Sequence, residues 1–265
     1  VESICAWVHR EESVSVLRSL GAENVVVGDL HDQTVIRSSL KGVRAVYHIC
    51  PNMSPDEVLM GRLIIGEAQK ARVEHFVYHS VLHPQTEQMT HHWQKLRVEE
   101  LILESGLPFT ILQPAPYMQN LLAAWKSILE DGILRVPYSV HARFSFVDLE
   151  DVAEAAKVVL TEPGHAHATF ELAGTLPLSH AAVADVFARV LQREVRAEPE
   201  ELRDWRLRTA GVSAYARENL IRMFDYYDRW GLPGNSNVLR WLLKRDPASF
   251  ETFIERTSQE RDAIS

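Results

Sequence analysis

Short apolar runs alternate along the chain with segments whose apolar residues recur every three or four positions. "ICAWV" (4–8), "NVVVGDL" (24–30), "RAVYHIC" (44–50), "HFVYHSV" (75–81) and "FTILQPA" (109–115) read as buried strands. Helical patterns separate them. Residues 12–21 set Val14, Leu17 and Leu20 on one face and stop at Gly21; 32–42 open on Asp32, an N-cap candidate, and stop at Gly42. Residues 54–73 open on Ser54 before Pro55, and a fourth helix runs from about Thr90 to Ser105. Strands rich in Val and Ile and separated by helices predict a parallel sheet covered on both faces, an α/β fold. Ligands of such sheets bind beyond the carboxyl ends of the strands. Those ends are His9-Arg10, Asp29-Leu30, Ile49-Cys50-Pro51, Ser80-Val81 and Gln113-Pro114, and they should share one edge.

After residue 143 the pattern changes. "FSFVDLEDVAEAAKVVLTEPG" (144–164) predicts a short strand and a helix capped by Asp148, and "ATFELAG" (168–174) a further strand. Helices follow at about 179–192, 200–210, 213–230 and 237–256, with "EVRAE" (194–198) as a strand between the first two. The final ten residues are polar and predict a frayed end. The expected division is 1–160 for the sheet domain and 161–265 for a helical lobe, interleaved with 115–143.

Composition narrows the function classes. A formal net charge of −8 with no long basic stripe argues against a nucleic-acid partner. The only cysteines, Cys5 and Cys50, sit in strand-like runs, so a reducing, cytoplasmic setting is expected rather than a disulfide framework. No apolar run is long enough to span a membrane, and "VESICAWVHR" lacks the pattern of a secretory leader. There is no GxSxG elbow and no P-loop. His75, His79 and His83 recur every four residues, but in a strand that spacing does not converge, so no metal site is expected.

The segments "GAENVVVGDLHD", "LKGVRAVYHIC", "EHFVYHSV", "KLRVEELILESGLPFTILQPAPYMQNLL" and "FSFVDLEDVAEAAKVVLTEPG" cover nearly the whole chain. In that order they resemble the NmrA-like branch of the atypical short-chain dehydrogenase/reductases. The resemblance implies a Rossmann-like doubly wound parallel sheet with a small, mostly helical C-terminal lobe. It also implies binding of NADP, with NAD the weaker alternative. One part of the family pattern is missing: the opening strand with its glycine-rich turn, which none of the 12 glycines forms. In the doubly wound order that strand lies mid-sheet, so two interior strands should lack a partner. The omission predicts a piece of a longer protein, or a variant that closes the gap with a second subunit.

The same resemblance assigns roles to the strand ends. Arg10, or His9 beside it, would meet the 2′-phosphate of NADP, unless the two are a solvated loop pair. Asp29 and Leu30 would border the adenine, with Asp29 as a helix cap the alternative. Ile49, Cys50 and Pro51 would run beside the nicotinamide ribose through backbone and shape. Ser80, with Val81, occupies the place where a serine holds a substrate carbonyl in the wider superfamily. Lys95 would bond the nicotinamide ribose; a surface pair with Glu99 is its alternative. His91, four residues before Lys95, takes the place of the usual tyrosine acid, or is simply a polar helix start. Pro114, Ala115 and Tyr117 would cover the nicotinamide, and Trp93, Tyr117, Tyr138 and Phe144 would wall an apolar substrate pocket unless they are core. Two functions fit: hydride transfer from NADPH to a quinone, carbonyl or activated alkene, or a non-catalytic NADP(H)-sensing regulator acting on a protein partner, with a homodimer also in view.

Overall fold

A computed structural model describes residues 3–262, with side chains through Arg261. Val1 and Glu2 of the opening segment and the last three residues of the polar tail lie outside the described residues. The first half alternates as expected: β1 (Cys5–Val8), α1 (Ser13–Ser19), β2 (Asn24–Val27), α2 (Gln33–Ser39), β3 (Ala45–His48), α3 (Glu57–Ala71), β4 (His75–His79), α4 (Thr90–Glu104) and β5 (Phe109–Pro114). Asp32 caps α2 by accepting from the Thr34 and Val35 amides. The third helix begins three residues later than expected, because the Ser54 hydroxyl accepts from the Asp56 amide and forms a turn there instead. A 3₁₀ turn (Met118–Ala124), α5 (Trp125–Asp131) and β6 (Ile133–Val136) follow.

β3, β4, β5 and β8 (Ala168–Leu172) make a parallel sheet in that order, and β1 and β2 make a separate parallel pair. Among the described residues no ladder joins β1 to β3. Helix packing joins the two sheets instead. Ile36 of α2 and Leu40, which caps its end, share a core with Ile64, Ile65 and Ala68 of α3. Glu67 of α3, 1% exposed, accepts from Arg37 and Gln33 of α2 at 2.8 Å each.

Side chains alternate across the strands, and each face of the larger sheet has its own core. Phe76, Tyr78, Phe109 and Ile111 face α3 and α4. Val77, Leu112 and Leu172 face the other way, toward α6 (Leu149–Thr161) and the lobe. The lobe contains β7 (Arg143–Phe144), β9 (Leu178–Ser179), α7 (His180–Leu191), β10 (Arg196–Pro199), α8 (Leu202–Arg208), α9 (Ala214–Trp230), α10 (Ser236–Leu243) and α11 (Phe250–Asp262). Val183, Phe187, Leu239, Phe253 and Ile254 of its helices join that second core. At about 1.5–3 kcal/mol for each fully buried large apolar side chain, this shared core makes the lobe part of the sheet's own stability.

Two expectations for the lobe are corrected. The single helix over 237–256 is two helices, because Lys244 adopts a left-handed backbone (φ 58°) and Pro247 follows it. The tail expected to fray continues as helix to Asp262, held where Arg256 bonds the fully buried Asp148 at 2.6 Å.

Gly231 ends α9 in a conformation (φ 62°, ψ −156°) that belongs to glycine, and a Cβ there would lie 2.1 Å from the Arg143 carbonyl oxygen. That carbonyl accepts from the Leu232 amide at 2.9 Å and ties α9 to β7. Gly231→Ala is expected to destabilise the protein by about 3 kcal/mol or more, summing strain and overpacking. Gly66→Ala, in open space on α3, should be neutral or stabilising by up to about 1 kcal/mol. Denaturation midpoints of the two variants give the comparison; equal midpoints would contradict it.

Candidate functional site

Parallel registers bring the strand ends together. Val8 pairs with Val27, and the Gly28 amide donates to the Val8 carbonyl at 2.9 Å, so His9-Arg10 and Asp29-Leu30 emerge side by side. His48 pairs with Tyr78 and His79 with Leu112, which sets Ile49-Cys50-Pro51, Ser80-Val81 and Gln113-Pro114 along one edge. A polar chain links the two groups: Asp29 accepts from His31 Nδ1 at 2.7 Å, and His31 Nε2 lies 3.3 Å from Asp56 ahead of α3. The His31 backbone and ring hold the Asp29 carboxyl below its ordinary pKa, and Asp29 in turn raises His31. Arg10 is 74% exposed, with only a loose contact to Glu12 at 3.9 Å. Ile49 is exposed, while Ala115 and Cys50 are buried. Burial, and then Glu57, pushes the Cys50 thiol far up, which leaves it inert as a nucleophile.

Lys95 is not the surface partner of Glu99. It is 14% exposed on α4, and its ammonium lies 3.1 Å from Glu57 and 3.4 Å from the His79 carbonyl, over the Tyr78 ring. Glu57, 4% exposed in the first turn of α3, also accepts from the Tyr78 hydroxyl at 2.7 Å. Glu99 turns inward instead. It accepts from the Ser80 hydroxyl and from Gln113 Nε2 at 3.0 and 3.1 Å, and burial raises its pKa against the pull of those donors and Lys95. Ser80 is 2% exposed and committed to that carboxyl. The structure therefore brings Ser80 and Lys95 to one strand end, with the serine proton already engaged.

His91 is half-buried, edge-on to His92, with Nδ1 unpartnered among the described residues. Burial, then the Lys95 charge, lowers its pKa to about 4. That removes the imidazolium an acid role near neutrality requires. The three spaced histidines do not converge: His75 bonds Thr110, the His83 carbonyl faces His92, and His79 lies between two tyrosines. His79 Nδ1 is 2.5 Å from the Tyr47 hydroxyl and Nε2 is 2.6 Å from the Tyr117 hydroxyl. Phe144 is corrected from pocket wall to core at 1% exposure, and the half-buried Tyr138 packs with it against Tyr227 and His180. Trp93 is half-buried on α4.

Glu57, Tyr47 and His79 carry no motif, yet a positional signal existed. Each is a polar or ring-bearing residue at a strand's carboxyl end or in the helix turn that follows, the edge where parallel sheets bind their ligands.

A family model described as the NmrA-like family matches residues 3–257. An NAD(P)H azoreductase from Xenophilus azovorans is 32% identical over 183 residues, 68% of this chain and 63% of the relative, so the chain spans just under two thirds of that protein's length. An NADPH-dependent quinone oxidoreductase from Escherichia coli, solved with NADPH, superposes with a TM-score of 0.84 at 22% identity over 97% of this chain and 90% of that one. The triphenylmethane reductase of Citrobacter sp., solved with NADP(H), gives 0.83 at 22% identity over 96% and 91%. At these identities the two structures show a shared fold. Among the described residues no helix is long and apolar enough to cross a membrane.

Proposed function

The chain belongs to the NmrA-like family, and from that premise we propose that it is an NADP-preferring reductase that delivers a hydride to a quinone, a carbonyl, an activated alkene or an azo dye. The observation that carries this reading is Lys95. Glu57 and the His79 carbonyl engage two of the ammonium's three N–H groups, which leaves the third for a ribose hydroxyl at the strand edge. Arg10, exposed and loosely paired, suits the 2′-phosphate, because a guanidinium fork bonds phosphate in two places. Asp29 and Leu30 would lie beside the adenine, and Ile49 to Pro51 along the ribose. Pro114, Ala115 and Tyr117 would cover the nicotinamide.

When bound, the nicotinamide supplies the hydride. The protein positions it and holds a cation beside it. The relatives' named activities support this choice of acceptors: azo reduction for the 32% identical protein, and quinone reduction for the structural neighbour.

Titration with NADPH and NADH, followed by quinone and dye panels, tests the reading. Tighter NADPH binding is expected, along with nicotinamide oxidation by at least one acceptor. Arg10→Ala should narrow the NADPH preference by roughly tenfold or more, the worth of a charge-assisted hydrogen bond. Binding without oxidation by any acceptor would mark a nicotinamide-sensing protein that acts on a partner. An absence of binding would remove both readings.

A further inference from the structure

Tyr47, His79 and Tyr117 form a hydrogen-bonded line across three successive strand ends. Tyr47 is in β3, His79 ends β4, and Tyr117 follows β5. The register explains the line. Tyr47 pairs with Val77, so His79, two residues on, shares its face of the sheet. Tyr117 is fixed by its neighbours, because the Met118 amide donates to the Val147 carbonyl and the Val147 amide to the Pro116 carbonyl, each at 3.0 Å. The imidazole ring is tilted from the two phenols by 51° and 59°, so ring nitrogens rather than ring faces meet the hydroxyls.

A neutral imidazole donates through one nitrogen and accepts through the other. It therefore accepts from one tyrosine and donates to the second, and that second tyrosine keeps its own O–H free for another acceptor. The surroundings favour neutrality: burial, then the nearby Lys95 ammonium, lowers the His79 pKa to about 4, and burial raises Tyr117 to about 12. The line also has a direction. Tyr47 at one end is half-buried, whereas Tyr117 at the other lies in the loop that would cover the nicotinamide.

We propose that this line is a proton relay in which Tyr117 is the acid for the reduced acceptor, and His79 and Tyr47 resupply it. The proposal rests on the reductase reading. A hydride from a reduced nicotinamide adds to one atom of an azo or carbonyl double bond, and the π electron pair moves to the other atom, which becomes an anion. The Tyr117 hydroxyl gives that atom its proton. The Nε2–H of His79 then passes to the Tyr117 oxygen, the Tyr47 hydroxyl proton passes to His79 Nδ1, and water reprotonates Tyr47. The sum is one hydride and one proton added to the acceptor, with the nicotinamide oxidised by two electrons. The relay takes the acid role that a neutral His91 does not fill.

Two acceptors separate the relay from hydride delivery. An azo dye needs a hydride and a proton, whereas a cationic triarylmethane dye needs a hydride alone. In the full chain with NADPH, Tyr117→Phe is expected to lower the ratio of azo to triarylmethane reduction by at least about 100-fold, the usual worth of a positioned acid. Effects of the substitution on cofactor binding are common to both dyes and cancel in the ratio. An unchanged ratio overturns the relay and leaves the reductase reading standing. A wild-type protein that reduces only the triarylmethane cation also overturns the relay alone. Failure of the wild type with every acceptor overturns the reductase reading, and the relay with it. A second readout needs no turnover. ¹⁵N NMR of the ligand-free protein at neutral pH should show His79 as one neutral tautomer carrying its proton on Nε2, and Tyr47→Phe should turn it into a mixture. A cationic His79, or a tautomer indifferent to Tyr47→Phe, overturns the proposal.

Discussion

Lys95→Met is expected to lower nicotinamide-dependent reduction by at least about 100-fold, the scale on which loss of one preorganised donor is felt in a dry site. It should also cost stability. Glu57 is 4% exposed, and without the ammonium its carboxylate keeps, among the described residues, the Tyr78 hydroxyl and the weak Cys50 thiol as donors. Removing one partner of a buried pair typically costs about 3 kcal/mol, because the other charge is left uncompensated. The double variant Lys95→Met/Glu57→Gln separates the two effects. An amide at position 57 still accepts from Tyr78 and carries no charge, so stability should recover while activity stays lost. Denaturant midpoints and the rate of nicotinamide oxidation, measured on the same preparations, decide the matter. If activity returned with stability, Lys95 would be only a structural counter-ion.

Acidification should unfold this protein well before its carboxylates alone would require. Burial holds His48 and His92 at a pKa of about 3 and His79, His91 and His180 at about 4. The folded protein therefore keeps these rings neutral, while the unfolded chain protonates them near the ordinary value of about 6.5. Below that point the unfolded state binds more protons, and stability falls as pH drops toward the folded values. Each such ring contributes about 1.4 kcal/mol per pH unit, so even two of the five remove about 5 kcal/mol between pH 6.5 and 4.5, comparable to a domain's whole stability. Glu99 and the exposed His31, both raised in the folded state, work in the opposite sense but do not match these five rings. Circular dichroism across this range should show loss of structure complete by about pH 4.5. His48→Phe removes a buried nitrogen that has no partner among the described residues, in a ring stacked on Tyr78, and should shift that midpoint to lower pH. Stability that is flat from pH 7 to 5 would contradict the account.

The parts of the fold that depend on local pattern were legible. Apolar runs located β1 to β5, Asp32 and Asp148 were recognisable as caps, and the list of carboxyl strand ends followed from the parallel arrangement. The 237–256 helix was misread because nothing in the apolar spacing reports the left-handed turn at Lys244. The tail was misread because Asp148, which holds Arg256, lies more than one hundred residues away.

Side-chain partners divide in the same way. The resemblance singled out Lys95, but its partner was not legible, because Glu99 at i+4 is the local choice and Glu57 on the neighbouring helix is the one that reaches it. By itself the sequence determined which segments become strands and helices, and that their carboxyl ends meet at one edge, since period and polarity act within a few residues. Only the tertiary structure decided that Glu99 turns inward to Ser80, that Phe144 is core, and that two tyrosines close on His79. Those outcomes depend on strand register and helix packing, which bring together groups that no local spacing connects.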